Sequence, residues 1–80
     1  MPRVQDIPGP YRVFFYSFDC NEPIHVHVVR ERMVCKFWLE PIELASNHGF
    51  AAKELTTIRN MIRSYHKRII EAWHDHCDQR

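Results

Sequence analysis

Glycine is scarce in this chain: of 80 residues only Gly9 and Gly49 are glycine. Neither lies in a loop that could cradle a phosphate, so the glycine-rich nucleotide motifs are excluded. An excess of one charge is missing too. Eleven Lys and Arg stand against ten Asp and Glu, a formal net charge of +1. No global field therefore calls for nucleic acid or an acidic partner. No stretch approaches the roughly 20 apolar residues of a membrane helix, and no apolar run follows Met1–Asp6 as in a signal peptide. Three cysteines, Cys20, Cys35 and Cys77, stand at irregular spacing. An odd count of that kind does not make a secreted disulfide framework, and reduced thiols in a cytoplasm are the expectation. No CxxC or HExxH spacing occurs, so neither common zinc motif is available.

What is present is organised around Pro23-Ile24-His25-Val26-His27-Val28-Val29. In a β-strand, His25 and His27 share one face while Ile24, Val26 and Val28 take the other. Pro2, Pro8, Gly9 and Pro10 make residues 1–10 an arm, pinned to a sheet edge by Val4 and Ile7. Tyr11–Phe18 is rich in aromatic and β-branched residues and reads as a first strand. Asp19-Cys20-Asn21-Glu22-Pro23 is turn chemistry. Ile24–Arg30 is the second strand, Arg30-Glu31-Arg32 a turn, and Met33–Leu39 the third strand. Pro41–Ala45 reads as a short edge strand, where proline is tolerated, with a helical turn as the alternative. Ser46–Phe50 is a loop.

From 52 to 77 the period changes. Leu55, Ile58, Ile62, Tyr65, Ile69, Trp73 and His76 step by three or four, which specifies one long amphipathic helix. It would be roughly 37 Å long at 1.5 Å per residue, against a radius of gyration of about 12 Å for a globule of this size. The expectation is a single α+β domain over residues 1–80. A three- to four-stranded antiparallel meander over 11–45 precedes the helix, which packs on one sheet face. The core face would hold Phe14, Tyr16, Phe18, Val26, Val28, Cys35, Phe37 and Leu39. The other would hold Phe15, His25, His27, Val29, Lys36 and Trp38. A register slip of one residue would reverse this assignment.

The run Phe14-Phe15-Tyr16-Ser17-Phe18, then Glu22 to Val28, then Cys35 to Pro41, resembles the small prokaryotic domain-of-unknown-function family 4160. So do Gly49-Phe50, Lys53-Glu54-Leu55, Ile58, Ile62-Arg63 and Glu71-Ala72-Trp73. Members usually carry a second proline where Ile24 stands, glycines at Glu31-Arg32, and a helix-capping serine at Ala51. The family has no established activity. What the resemblance implies is genetic context: a small partner gene nearby, in toxin–antitoxin-like pairs. That is an association and supplies no mechanism. The resemblance places the functional candidates at His25, His27, Lys36 and Trp38.

Each chemistry has a plainer reading beside it. His25 and His27 can reach one metal ion such as zinc, but a zinc site needs three or four ligands; Asp19, Cys20, Glu22 or His48 are the candidates to complete it. His74-Asp75-His76-Cys77 is a second, weaker group. The plainer reading is two partly buried histidines bonded to neighbours or lining an interface, with no cofactor. As an enzyme, the chain would use His25 and His27 as acid and base with Lys36 as the phosphate cation; non-catalytic is the favoured reading. Arg59, Arg63 and Lys67 follow an i, i+4, i+8 line that could track phosphates, or simply a solvated helix face. The leading expectation is a cytoplasmic interaction module, one component of a toxin–antitoxin-like pair. It would contact a partner encoded nearby, or a second copy of itself, through Phe15, His25, His27, Lys36 and Trp38. The alternative is a nucleic-acid-acting protein, a weak ribonuclease or a DNA binder, using the histidines and the basic flank. No membrane partner is expected.

Overall fold

A four-stranded antiparallel meander is followed by two helices, in a computed structural model that describes residues 3–4, 7–16 and 19–78. The strands are β1 (Arg12–Phe14), β2 (His25–Arg30), β3 (Met33–Leu39) and β4 (Ile42–His48), in that spatial order. The helices are α1 (Ala52–Ser64) and α2 (His66–Cys77). A short 3-10 turn, Asp19–Asn21, stands between β1 and β2.

β1 is much shorter than the expected Tyr11–Phe18; Ser17 and Phe18 lie outside the described residues. The chain leaves the sheet because the Asp19 turn captures it. The Asp19 carboxylate accepts the Tyr16 N–H at 2.7 Å, and the Asp19 N–H donates back to the Tyr16 carbonyl at 3.0 Å. Register then reverses the expected parity of β1. Val13 pairs with Val28 and Phe14 with His27, so Val13 shares the core face with Val28. Phe15 is buried with the core, its ring edge-on to Trp73 at 5.3 Å. Phe14 takes the histidine side, opposite to the assignment from spacing alone.

β2 and β3 pair as their alternation demands: His25 opposite Trp38, Val26 opposite Phe37, His27 opposite Lys36, Val28 opposite Cys35. The connecting Glu31 adopts φ 56°, a left-handed conformation that costs a non-glycine residue roughly 1 kcal/mol. β4 runs on to His48, through residues expected to be a loop. Lys36 faces Ser46 while Phe37 faces Leu44, so Ala45 is the extra residue of a bulge. Gly49 closes the strand at φ 105°; a Cβ there would lie 2.9 Å from Met33 Cγ. Asn47 brackets Phe50, accepting its N–H at 3.1 Å and donating to its carbonyl at 2.9 Å.

The single long helix is replaced by two. Tyr65 breaks the helical run at φ −109°, ψ 20°. The next residue, His66, donates from Nε2 to the Leu39 carbonyl at the end of β3, at 2.8 Å, which ties the start of α2 to the sheet. The apolar period survives the break: Ile58, Ile62, Ile69 and Trp73 are buried with Val13, Phe15, Val26, Val28, Cys35, Phe37 and Leu39 in one cluster. Full burial of each such aliphatic side chain contributes about 1.5–3 kcal/mol. The molecule measures 36 × 24 × 21 Å. Among the described residues no helix is long and apolar enough to cross a membrane.

The first helical turn is bonded to the sheet through Glu54. Arg30 donates to it twice, Nε to Oε2 at 2.7 Å and Nη2 to Oε1 at 2.9 Å, and the Tyr11 hydroxyl adds a third bond at 3.0 Å. The Arg30 bond in particular holds the Glu54 carboxyl below its ordinary value. A depressed carboxyl stabilises the fold above its unfolded pKa of about 4.5, and the contribution is lost as pH falls through the lower folded value. Glu54→Gln is accordingly expected to flatten the acid side of the stability curve. Urea midpoints measured between about pH 7 and pH 3 test this, and an acid limb identical to the parent's would refute it.

Candidate functional site

The 3-10 turn and the start of β2 bring three polar side chains together. Strand alternation sets His25 and His27 on one side of β2, while the turn's own hydrogen bonds hold Asp19 above them. Asp19 Oδ2 lies 3.2 Å from His25 Nε2 and 3.1 Å from His27 Nε2. Asp19 and His25 are almost entirely buried, at 2% and 0% exposure. The second nitrogen of His25, Nδ1, stands 2.8 Å from the Pro23 carbonyl. Because a carbonyl only accepts, Nδ1 carries the hydrogen and donates. Nε2, facing Asp19, has no hydrogen bond of acceptable geometry.

Aromatic rings wall the site. The His25 ring meets Trp38 at 5.5 Å and Trp73 at 5.2 Å, both edge-on, and His27 at 5.1 Å. His27 is stacked on Phe14 at 5.5 Å and meets Tyr16 at 4.8 Å. This environment pushes the His27 imidazole below its ordinary pKa. Burial is the main cause, opposed by the Asp19 carboxylate. At the rim, Lys36 Nζ donates to Glu22 Oε1 at 2.8 Å and sits 4.4 Å over the Trp38 ring. That bond draws the Glu22 carboxyl below its usual range. Trp38 keeps part of its surface open to solvent. A shallow recess lined by Arg12, Phe14, Tyr16 and Val29 adjoins along β1.

Of the residues expected on this face, His25, His27, Lys36 and Trp38 come together. Phe15 does not, for the register reason already given, and Phe14 stands in its place. Of the candidates to complete a metal set, Asp19 joins the histidines. Glu22 is engaged by Lys36, and His48 is exposed opposite Val34 at the far end of β3. Cys20 is joined to Cys77 by a disulfide, with Cα atoms 5.6 Å apart. This corrects the expectation of three reduced thiols: two cysteines 57 positions apart meet because the end of α2 returns to the 3-10 turn. Cys35 alone is free, and burial pushes its thiol up to about 12. Within His74-Asp75-His76-Cys77, His74 lies 3.5 Å from Asp78, while His76 stacks near Phe15 at 6.3 Å. Cys20, His76 and Cys77 do converge, but their sulfurs are spent on the disulfide.

The basic line spans both helices. Arg59 lies over the Phe37 ring at 5.6 Å, and the break at Tyr65 separates Arg63 on α1 from Lys67 on α2. Asp19 is the residue that spacing ranked too low. Its signal was the carboxylate in a turn immediately preceding a His-x-His strand.

No curated protein and no solved structure matches this chain. A family model does match, over residues 11–74, and it takes in β1, the Asp19 turn, both strand histidines and most of α2. The chain belongs to that family, the domain of unknown function DUF4160.

Proposed function

We propose that the protein is an interaction module that docks a protein partner through the histidine-bearing sheet face, with Trp38 as the anchor. The observation that carries this reading is the setting of Trp38. Its indole is held between Lys36 and the buried His25, yet remains partly open to solvent. A rigid, half-exposed aromatic beside a charged rim is how interfaces place their main anchors. The recess at Arg12, Phe14, Tyr16 and Val29 extends the same face toward β1. The partner is a small protein encoded nearby, in a toxin–antitoxin-like pair acting in the cytoplasm, or a second copy of the chain. The module works by contact. The second reading is a nucleic-acid-acting protein that uses the strand histidines with Arg59, Arg63 and Lys67 along the helices.

Trp38→Ala is expected to leave the far-ultraviolet dichroism unchanged and to weaken partner binding by about 2 kcal/mol, roughly 30-fold. The assay is co-purification with the products of the flanking genes, followed by native mass spectrometry and titration calorimetry. Undiminished affinity in the variant would move the interface off this face.

A further inference from the structure

We infer that Asp19, His25 and His27 form a binding site for one divalent transition-metal ion of the zinc type. The argument begins with the hydrogen on His25. Nδ1 donates it to the Pro23 carbonyl at 2.8 Å, which leaves Nε2 of the neutral ring as a lone pair. That lone pair faces a carboxylate oxygen at 3.2 Å in a fully buried position, with no hydrogen bond. Two acceptors so placed repel unless something positive lies between them. A histidine that donates one N–H to a backbone carbonyl and aims its other nitrogen at a carboxylate is oriented as metal-ligating histidines are.

Distances agree with an ion. The two Nε2–Oδ2 separations are 3.2 and 3.1 Å, and all three donor atoms lie within 4.8 Å of one another. A tetrahedral ion with bonds of about 2.0–2.1 Å sets its ligand atoms about 3.3 Å apart. The ligands are also held in advance: the histidines by strand alternation, Asp19 by the Tyr16 N–H at 2.7 Å. Two imidazoles and one carboxylate suit zinc and its first-row neighbours, whereas calcium and magnesium want oxygen. His27, at 14% side-chain exposure, is the most open of the three, so a water completes the coordination on its side. The rival account of the same geometry has no ion: His27 Nε2 donates to Asp19 Oδ2 at 3.1 Å, and a proton is shared by His25 and Asp19.

The test uses the full chain with its disulfide intact, freed of metal by chelator and dialysed. Zn²⁺ is titrated by calorimetry and Co²⁺ by visible absorption. The expected result is one ion per chain and a four-coordinate cobalt spectrum without a thiolate charge-transfer band. Asp19→Asn keeps an oxygen for the Tyr16 N–H and spares the turn, but exchanges the anionic carboxylate ligand for a neutral, much weaker amide oxygen. Asp19→Asn and His27→Gln should each weaken binding at least about 100-fold, since even a group that only orients a ligand is worth about 10–100-fold. His66→Gln, remote from the three ligands, should leave affinity unchanged, and circular dichroism checks that every variant is folded. Three results would overturn the site. One is no stoichiometric uptake by the parent protein up to about 1 mM ion, which leaves the shared proton. Another is binding indifferent to both ligand variants. The last is uptake lost in His76→Gln, which would place the ion at the end of α2 instead.

Discussion

Reduction of the Cys20–Cys77 disulfide is expected to lower the unfolding free energy by about 4 kcal/mol. The bond closes a loop of 57 residues between the 3-10 turn and the last residue of α2. Cross-linking a loop of that length removes much of the unfolded chain's freedom, and reduction returns it. A small domain has on the order of 5–15 kcal/mol in total, so this is a substantial share. In a chain this short it corresponds to a fall in Tm of about 20 °C. The measurement is thermal unfolding with and without reductant, with Cys20→Ser/Cys77→Ser as the permanently open form. The reduced protein and the double variant should melt together, well below the oxidised protein. Cys35 does not complicate the comparison, because its thiol is buried and pushed up to about 12. Coincident melting of oxidised and reduced protein would show that the chain holds the turn to α2 without the bond. The same experiment bears on compartment: a cytoplasm keeps such pairs reduced, so a protein that needs the bond to stay folded would be poorly suited to one.

Replacing Asp19 should have the next largest effect, and the effect should depend on the replacement. Asp19→Ala, measured with chelator present, is expected to cost about 3 kcal/mol. It leaves the Tyr16 N–H without its acceptor and removes the oxygen that His27 Nε2 bonds at 3.1 Å. A buried donor left unsatisfied costs about 1–3 kcal/mol by itself. Asp19→Asn should cost less than about 1 kcal/mol, because its carbonyl oxygen can take the Oδ2 place and still accept from the Tyr16 N–H. Urea unfolding of the two variants beside the parent decides the matter. Equal losses for alanine and asparagine would mean that the negative charge of Asp19, rather than its acceptor geometry, holds the turn.

Much of this arrangement could be read in advance where one local period governs a segment. His25 and His27 fall on one face because β2 is a regular strand, and Trp38 and Lys36 join them because a two-residue turn sets the β2–β3 register. The stripe from Ile58 to Trp73 is buried as its spacing requires. The misreadings all sit where a distant group overrides local pattern. Tyr11–Phe18 alternates like a long strand, yet the Asp19 carboxylate draws Tyr16 out of the sheet and Phe15 goes to the core. Ser46 to His48 are loop-forming types, yet the bulge at Ala45 lets β3 keep them paired. Nothing in the spacing around Tyr65 marks a break; the carbonyl of Leu39, 27 positions away from His66, is what α2 is fastened to. Cys20 and Cys77 are too far apart in sequence for their pairing to be legible at all.

The two margins of the sheet are not alike. Val4 donates its N–H to the Val13 carbonyl and Arg3 bridges to Phe14, so the margin at β1 is already occupied by Arg3 and Val4. The margin at β4 has no strand beyond it among the described residues, and there Leu44 is the large apolar side chain most open to solvent. Such a sheet has a valence of one. Two copies meeting margin to margin would satisfy each other and present nothing for a third to join. Fibre growth needs two complementary ends on every unit, and here one end is spent, so any strand-to-strand association at β4 would stop at a pair.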